Sequence, residues 1–188
     1  MQLLSINTAR AEPFVATNGE TLESAIRKRP REGRVAVHSL GLDGDEQADL
    51  SVHGGLSKAV YAYPHEHYAF WTTVRAQAKV QGALQPGAAG ENLTITGLLE
   101  AKVWLNDVLH FPDCELIVSE PRYPCFKLNA HMGFKHAVKM MAQSGYCGFY
   151  LAVKREGTLA AGEAFELRPG PREVGVVELF KSKMKKHA

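Results

Sequence analysis

Apolar positions along this chain mostly alternate or cluster in short runs, the spacing of strands rather than helices. Such runs predict strands over residues 2–7, 35–40, 58–63, 92–96, 102–105, 108–111, 115–119, 149–154, 164–167 and 174–179. Asn106-Asp107 lies between two of them and reads as a tight hairpin turn, and Arg155-Glu156-Gly157 reads as another turn. Only two segments carry helical spacing. Residues 64–79 open on Pro64 with acidic Glu66 close behind, as helix starts prefer. Residues 134–143 place Phe134, Ala137, Val138 and Met141 on one face, and Gly145 supplies a stop. Many short strands, few helices and no regular strand–helix alternation predict a mainly β domain, closed into a barrel or highly curved.

A length of 188 residues suits one domain with a sizeable core, here assigned to residues 1–180 with a basic tail at 181–188. Hydrophobic residues at 45% and charged residues at 22% are ordinary for a globular protein. No apolar run is long enough to span a membrane, and the first residues lack a secretory pattern, so a cytoplasmic location is expected. The formal charge of +2 becomes −2 once Lys181, Lys183, Lys185 and Lys186 are set aside. A nucleic-acid-binding face is therefore not expected, and the tail reads as a solvated, partly frayed terminus. The basic turn region Arg27-Lys28-Arg29-Pro30-Arg31-Glu32-Gly33-Arg34 reads as an exposed hairpin tip.

Cys114, Cys125 and Cys147 cannot all pair, and none forms a C-x-x-C clip, which argues for a reducing compartment and against a zinc ribbon or a four-cysteine iron–sulfur cluster. Cys114 and Cys147 sit in apolar, strand-like surroundings, where an inert buried thiol is the default. Cys125 differs. It follows a core strand in Pro121-Arg122-Tyr123-Pro124-Cys125-Phe126-Lys127-Leu128, a loop stiffened by two prolines and flanked by two cations that favour a thiolate. Such a thiolate is fit to bind a soft metal, carry sulfur or attack an electrophile.

Other constellations are weaker. Gly41–Asp49 has alternating acidic residues but no glycine at the sixth place and no glutamate at the twelfth, so a polar turn that orients its neighbours is the better reading than a calcium loop. His53-Gly54-Gly55, with Lys58 nearby, is able to form an anion-binding concavity, although a simple turn is the commoner explanation. Glu91 and Asn92 follow a glycine-rich loop, where they either hydrogen-bond a heterocycle or cap a local turn. His65 and His67 are two apart and do not share a helix face, so they read as surface or supporting residues. Dinucleotide, P-loop and nucleophile-elbow motifs do not occur.

In order, Gly41–Asp49, His53-Gly54-Gly55, Tyr63-Pro64-His65-Glu66-His67-Tyr68, Gly90-Glu91-Asn92-Leu93 and the Cys125 loop resemble the MOSC (molybdenum cofactor sulfurase C-terminal) family. The likeness is strongest to its small bacterial members linked to resistance to N-hydroxylated purines. That resemblance implies a β-barrel of pyruvate-kinase type and a molybdopterin cofactor. Cys125 would be the thiolate ligand to molybdenum, and Arg122, Lys127, Lys58, His53, Gly54, Gly55, Glu91 and Asn92 would be candidates to hold the pterin and its phosphate. It implies reduction of N-hydroxylated compounds with electrons from an external donor protein. No pyridoxal-phosphate site is expected. Two other classes stay open: a sulfur carrier with a persulfide on Cys125, loaded by a cysteine desulfurase, and a non-catalytic module that binds a small anion.

Overall fold

Burial along the chain follows the pleat. In the computed structural model, which describes residues 1–48 and 54–185, strand β10 (Glu115–Pro121) buries Leu116 and Val118 and turns the residues between them partly outward. Strand β7 (Val60–Pro64) is buried on both faces, as an inner strand must be. The remaining strands are β1 (Gln2–Thr8), β2 (Glu12–Val15), β3 (Thr21–Ser24), β4 (Arg29–Pro30), β5 (Arg34–His38), β6 (Gly41–Leu42), β8 (Leu93–Thr96), β9 (Val108–His110), β11 (Phe149–Arg155), β12 (Gly157–Ala160) and β13 (Glu166–Arg168). The helices are α1 (Tyr68–Gln77), α2 (Lys127–Met132), α3 (Ala137–Ser144) and α4 (Val176–Lys185).

Eight strands form one mixed sheet in the order β13-β9-β10-β11-β7-β8-β1-β4. Its neighbours are antiparallel except β7 and β8, which run parallel with Ala62 opposite Leu93. A parallel pair needs a crossover, and α1 supplies it. Strands β12, β5 and β6 make a second sheet, and β2 and β3 make a hairpin.

The mainly β composition is as expected, but the closed barrel is not formed. Among the described residues the large sheet ends on β13 at one side and two-residue β4 at the other, and no ladder joins them. One isolated bridge, Gln2 to Ala164, and the main-chain bonds of Leu3 with Glu163 and Gly162 bring β1 near the approach to β13. Counting short strands does not reveal whether the first and last pair, and here β5 and β12 leave for a sheet of their own.

Two expected strands fail. Residues 102–105 hold the end of a 3-10 turn, Glu100–Lys102, and a single bridge from Trp104 to Gly175. Residues 174–179 open into α4, because Val176, Phe180 and Met184 recur every four positions and pack on the core. The basic end is helical through Lys185, where cations suit a helix C-terminus. Helix α3 falls where its spacing put it and stops at left-handed Gly145.

Candidate functional site

Strand β10 delivers the cysteine loop. Pro121 still pairs with Phe149 of β11, and the Arg122 N–H donates to the Gly148 carbonyl at 3.4 Å. The chain then leaves the sheet, and the Cys125 carbonyl accepts the Leu128 N–H at 3.0 Å as α2 begins. Cys125 is half-buried and faces a cleft of about 620 Å³ that opens to solvent. Cys114 and Cys147 are buried elsewhere, and burial pushes the Cys114 thiol up to about 12 and Cys147 well above the ordinary range.

Arg122 forms the floor of that cleft and is only 4% exposed. Its guanidinium lies 5.4 Å from the centre of the Tyr61 ring and reaches the Met141 sulfur at 3.5 Å. Burial works against its charge, yet Tyr61, Tyr150 and Cys125 around it outweigh that and raise its pKa further, Tyr150 also by hydrogen bonding. Among the described residues no carboxylate ion-pairs with it. A buried cation without a carboxylate partner among the described residues is costly, and such a guanidinium is suited to bind an anion.

The opposite wall comes from the strip between β3 and β4 and from the turn after β6. Ser24, Ala25, Ile26 and Lys28 line it with Asp45 and Gln47. The strip runs directly over the loop 87–90, which explains two glycines there. A Cβ on Gly87 would come within 2.6 Å of the Lys28 carbonyl, one on Gly90 within 2.9 Å of Ile26, and both have positive φ. Asp45 ties the wall together. It accepts from Lys28 Nζ at 2.5 Å, from the Ala9 N–H at 2.9 Å and from Asn92 Nδ2 at 2.8 Å. Asn92 in turn accepts the Tyr61 N–H at 3.0 Å through its Oδ1. Burial lowers the Lys28 pKa, and Asp45 only partly restores it.

Of the residues singled out in the sequence, Arg122, Cys125, Lys127, Lys58 and Asn92 line this one cleft. Lys127 Nζ donates to the Glu23 carbonyl at 3.1 Å, across to the β2–β3 hairpin, and Lys58 stands 3.8 Å from Glu120. Gly54 and Gly55 sit beside the cleft: the Gly55 N–H donates to the Gln47 side chain at 3.3 Å. Glu91 lies beneath it, fully buried, and accepts from Tyr68, Thr94 and the Gly87 and Ala89 N–H groups, which makes it the organiser of the loop 87–90. His53 lies outside the described residues. His67 is buried against Glu100 at 2.7 Å and stacks on Tyr146, apart from the cleft walls.

Sequence reasoning missed Lys28, Tyr61, Tyr150 and the strip 24–26. Lys28 was hidden inside a basic run that reads as solvated, and the aromatic rings were hidden inside core strands. Asp45 does orient its neighbours, as the polar-turn reading had it.

Residues 49–166, well over half of the chain, match the MOSC domain. The chain belongs to the MOSC domain family. Along 88% of its length it is 39% identical to the Bacillus subtilis protein YflK, covering 72% of that protein. It is also 37% identical over 90% of its length to a Gibberella moniliformis protein named "Reductase", of which it spans only 30%. Among solved structures it resembles YiiM from Geobacillus stearothermophilus, with a TM-score of 0.78, 28% identity, and coverage of 98% of this chain and 84% of that one. MOSC domains are associated with the molybdenum cofactor. The matched MOSC segment carries Arg122, Cys125, Lys127, Lys58 and Asn92, whereas the facing wall, Ser24 to Lys28 and Asp45 to Gln47, precedes it.

Proposed function

We propose that this MOSC protein is an oxidoreductase that holds a molybdenum cofactor through Cys125 and reduces N-hydroxylated compounds, such as hydroxylamino bases, with electrons from an external donor protein. The observation that carries this reading is Arg122, a buried guanidinium without a carboxylate partner among the described residues, in the same cleft as a half-buried thiol. The terminal phosphate of a molybdopterin is an anion of the kind that guanidinium calls for. Among the described residues no three His, Cys, Asp or Glu side chains gather to hold a bare metal ion. A lone thiol suits a metal that arrives already held by other soft ligands. The residues present therefore fit the group.

When bound, that cofactor supplies the two-electron chemistry. Cys125 offers the protein's own ligand, and Arg122 holds negative charge at the floor. Lys28, Lys58 and Lys127 add positive charge around it. Asp45 and Asn92 keep the Lys28 wall in place through the hydrogen bonds described above. The relative named as a reductase supports the oxidoreductase class.

The test is elemental analysis of protein made in a host that synthesises the cofactor, together with reduction of a hydroxylamino base by a chemical electron donor. The parent should hold stoichiometric molybdenum and reduce the base, and Cys125→Ala should lose both. Normal metal and activity in Cys125→Ala would overturn the reading. A persulfide on Cys125 without molybdenum, after incubation with a cysteine desulfurase, would point to sulfur transfer instead.

A further inference from the structure

The loop that carries Cys125 is held by side chains rather than by its own main chain. Between the Arg122 N–H and the Cys125 carbonyl, no main-chain hydrogen bond is made among the described residues. Pro124 restricts one dihedral, and Arg122 turns inward to the cleft floor. Tyr123 turns the other way. Its ring lies parallel to Phe180 at 5.8 Å between centroids and 9° between planes, and Lys183 Nζ stands 4.1 Å from its centre. Phe180 and Lys183 are three apart on α4 and so share a face.

Helix α4 is itself well seated. Val176 and Phe180 are buried, and the Val176 N–H donates to the Val103 carbonyl at 3.0 Å. The helix follows the matched MOSC segment, which ends at residue 166. It is thus an addition to that segment that reaches back to the one loop bearing a half-buried thiol.

We infer that α4 is a positioning element for Cys125: Phe180 and Lys183 grip Tyr123 and thereby fix where the thiol points. Tyr123, Phe180 and Lys183 are positioning residues that act through the loop. The inference goes beyond the proposed cofactor and does not depend on what Cys125 binds.

Alkylation of the native 188-residue chain by iodoacetamide reads the loop directly, because Cys114 and Cys147 are fully buried. Rates are taken over a pH series and compared at their high-pH plateau, so that access is separated from thiol ionisation. Tyr123→Ala should speed Cys125 alkylation by at least about threefold, the scale of one lost aromatic contact. Exposed Lys183→Gln should speed it by about twofold, while Tyr123→Phe keeps the parent rate. Val35→Ala is the control, since it removes core packing from the separate sheet of β12, β5 and β6 rather than from α4. A parent rate in both Tyr123→Ala and Lys183→Gln would overturn the inference. Acceleration by Val35→Ala equal to that by Tyr123→Ala would overturn it too, because general loosening would then suffice.

Discussion

Replacing Asp45 by Asn should destabilise the protein strongly near neutral pH and much less in alkaline solution. The Lys28 and Asp45 side chains are 8% and 4% exposed and 2.5 Å apart. Removing one partner of such a pair typically costs about 3–5 kcal/mol, because the other charge stays buried without compensation. A ceiling follows from Lys28 itself, which can escape the cost by losing its proton. At pH 7 that escape costs about 4.6 kcal/mol for an ordinary lysine, and at pH 9 only about 1.9 kcal/mol. The sign agrees with the parent. Burial already lowers the Lys28 pKa, so between that lowered value and the ordinary one the folded chain binds fewer protons than the unfolded chain, and stability rises with pH. Asp45→Asn removes the partner that holds the pKa up and extends the window downward. Urea unfolding at pH 7 and pH 9 measures both deficits, and the variant's should narrow by about half or more. The double variant Lys28→Met with Asp45→Asn should recover much of the loss, since it leaves no buried charge. A deficit below about 1 kcal/mol at pH 7, or an equal deficit at both pH values, would refute the reasoning.

Arg122→Met should keep the fold, because it fills similar space, but weaken binding of inorganic phosphate by about tenfold or more in calorimetry, the scale of a lost charge-assisted hydrogen bond. Glu91→Gln turns an amide toward donors that now face a carboxylate. It should cost about 1–3 kcal/mol in urea unfolding while leaving the cleft's own charges in place. Gly148→Ala should cost more than about 3 kcal/mol or prevent folding. Its φ is +63°, and an added Cβ would collide with the Ala62 carbonyl and lie 2.8 Å from the Tyr61 ring. Expression level and thermal melting report that outcome.

Chemistry confined to one stretch of chain was legible in the sequence. The Cys125 loop, with its prolines and flanking cations, needs no partner element to be recognised, and α1, α3 and most core strands follow from local period. The rest depended on which distant segments meet. Val176 read as a strand residue, but the buried face it shares with Phe180 repeats every four positions and rests on the core as α4. Lys28 read as solvated until the strip it lies on was seen to cross Gly87 and bury it beside Asp45. Whether eight strands close on themselves was likewise not a local matter: each strand's pattern is satisfied in an open sheet or a closed one, and only the pairing of the ends decides. By itself, then, the sequence determined the cysteine loop, its neighbouring cations and the mainly β composition, because propensity and nearby charge act over a few residues. Tertiary structure alone decided the open mixed sheet, the facing wall of the cleft and the burial of Arg122 without a carboxylate partner among the described residues, because burial and counter-charge are properties of residues brought together from far apart in the chain.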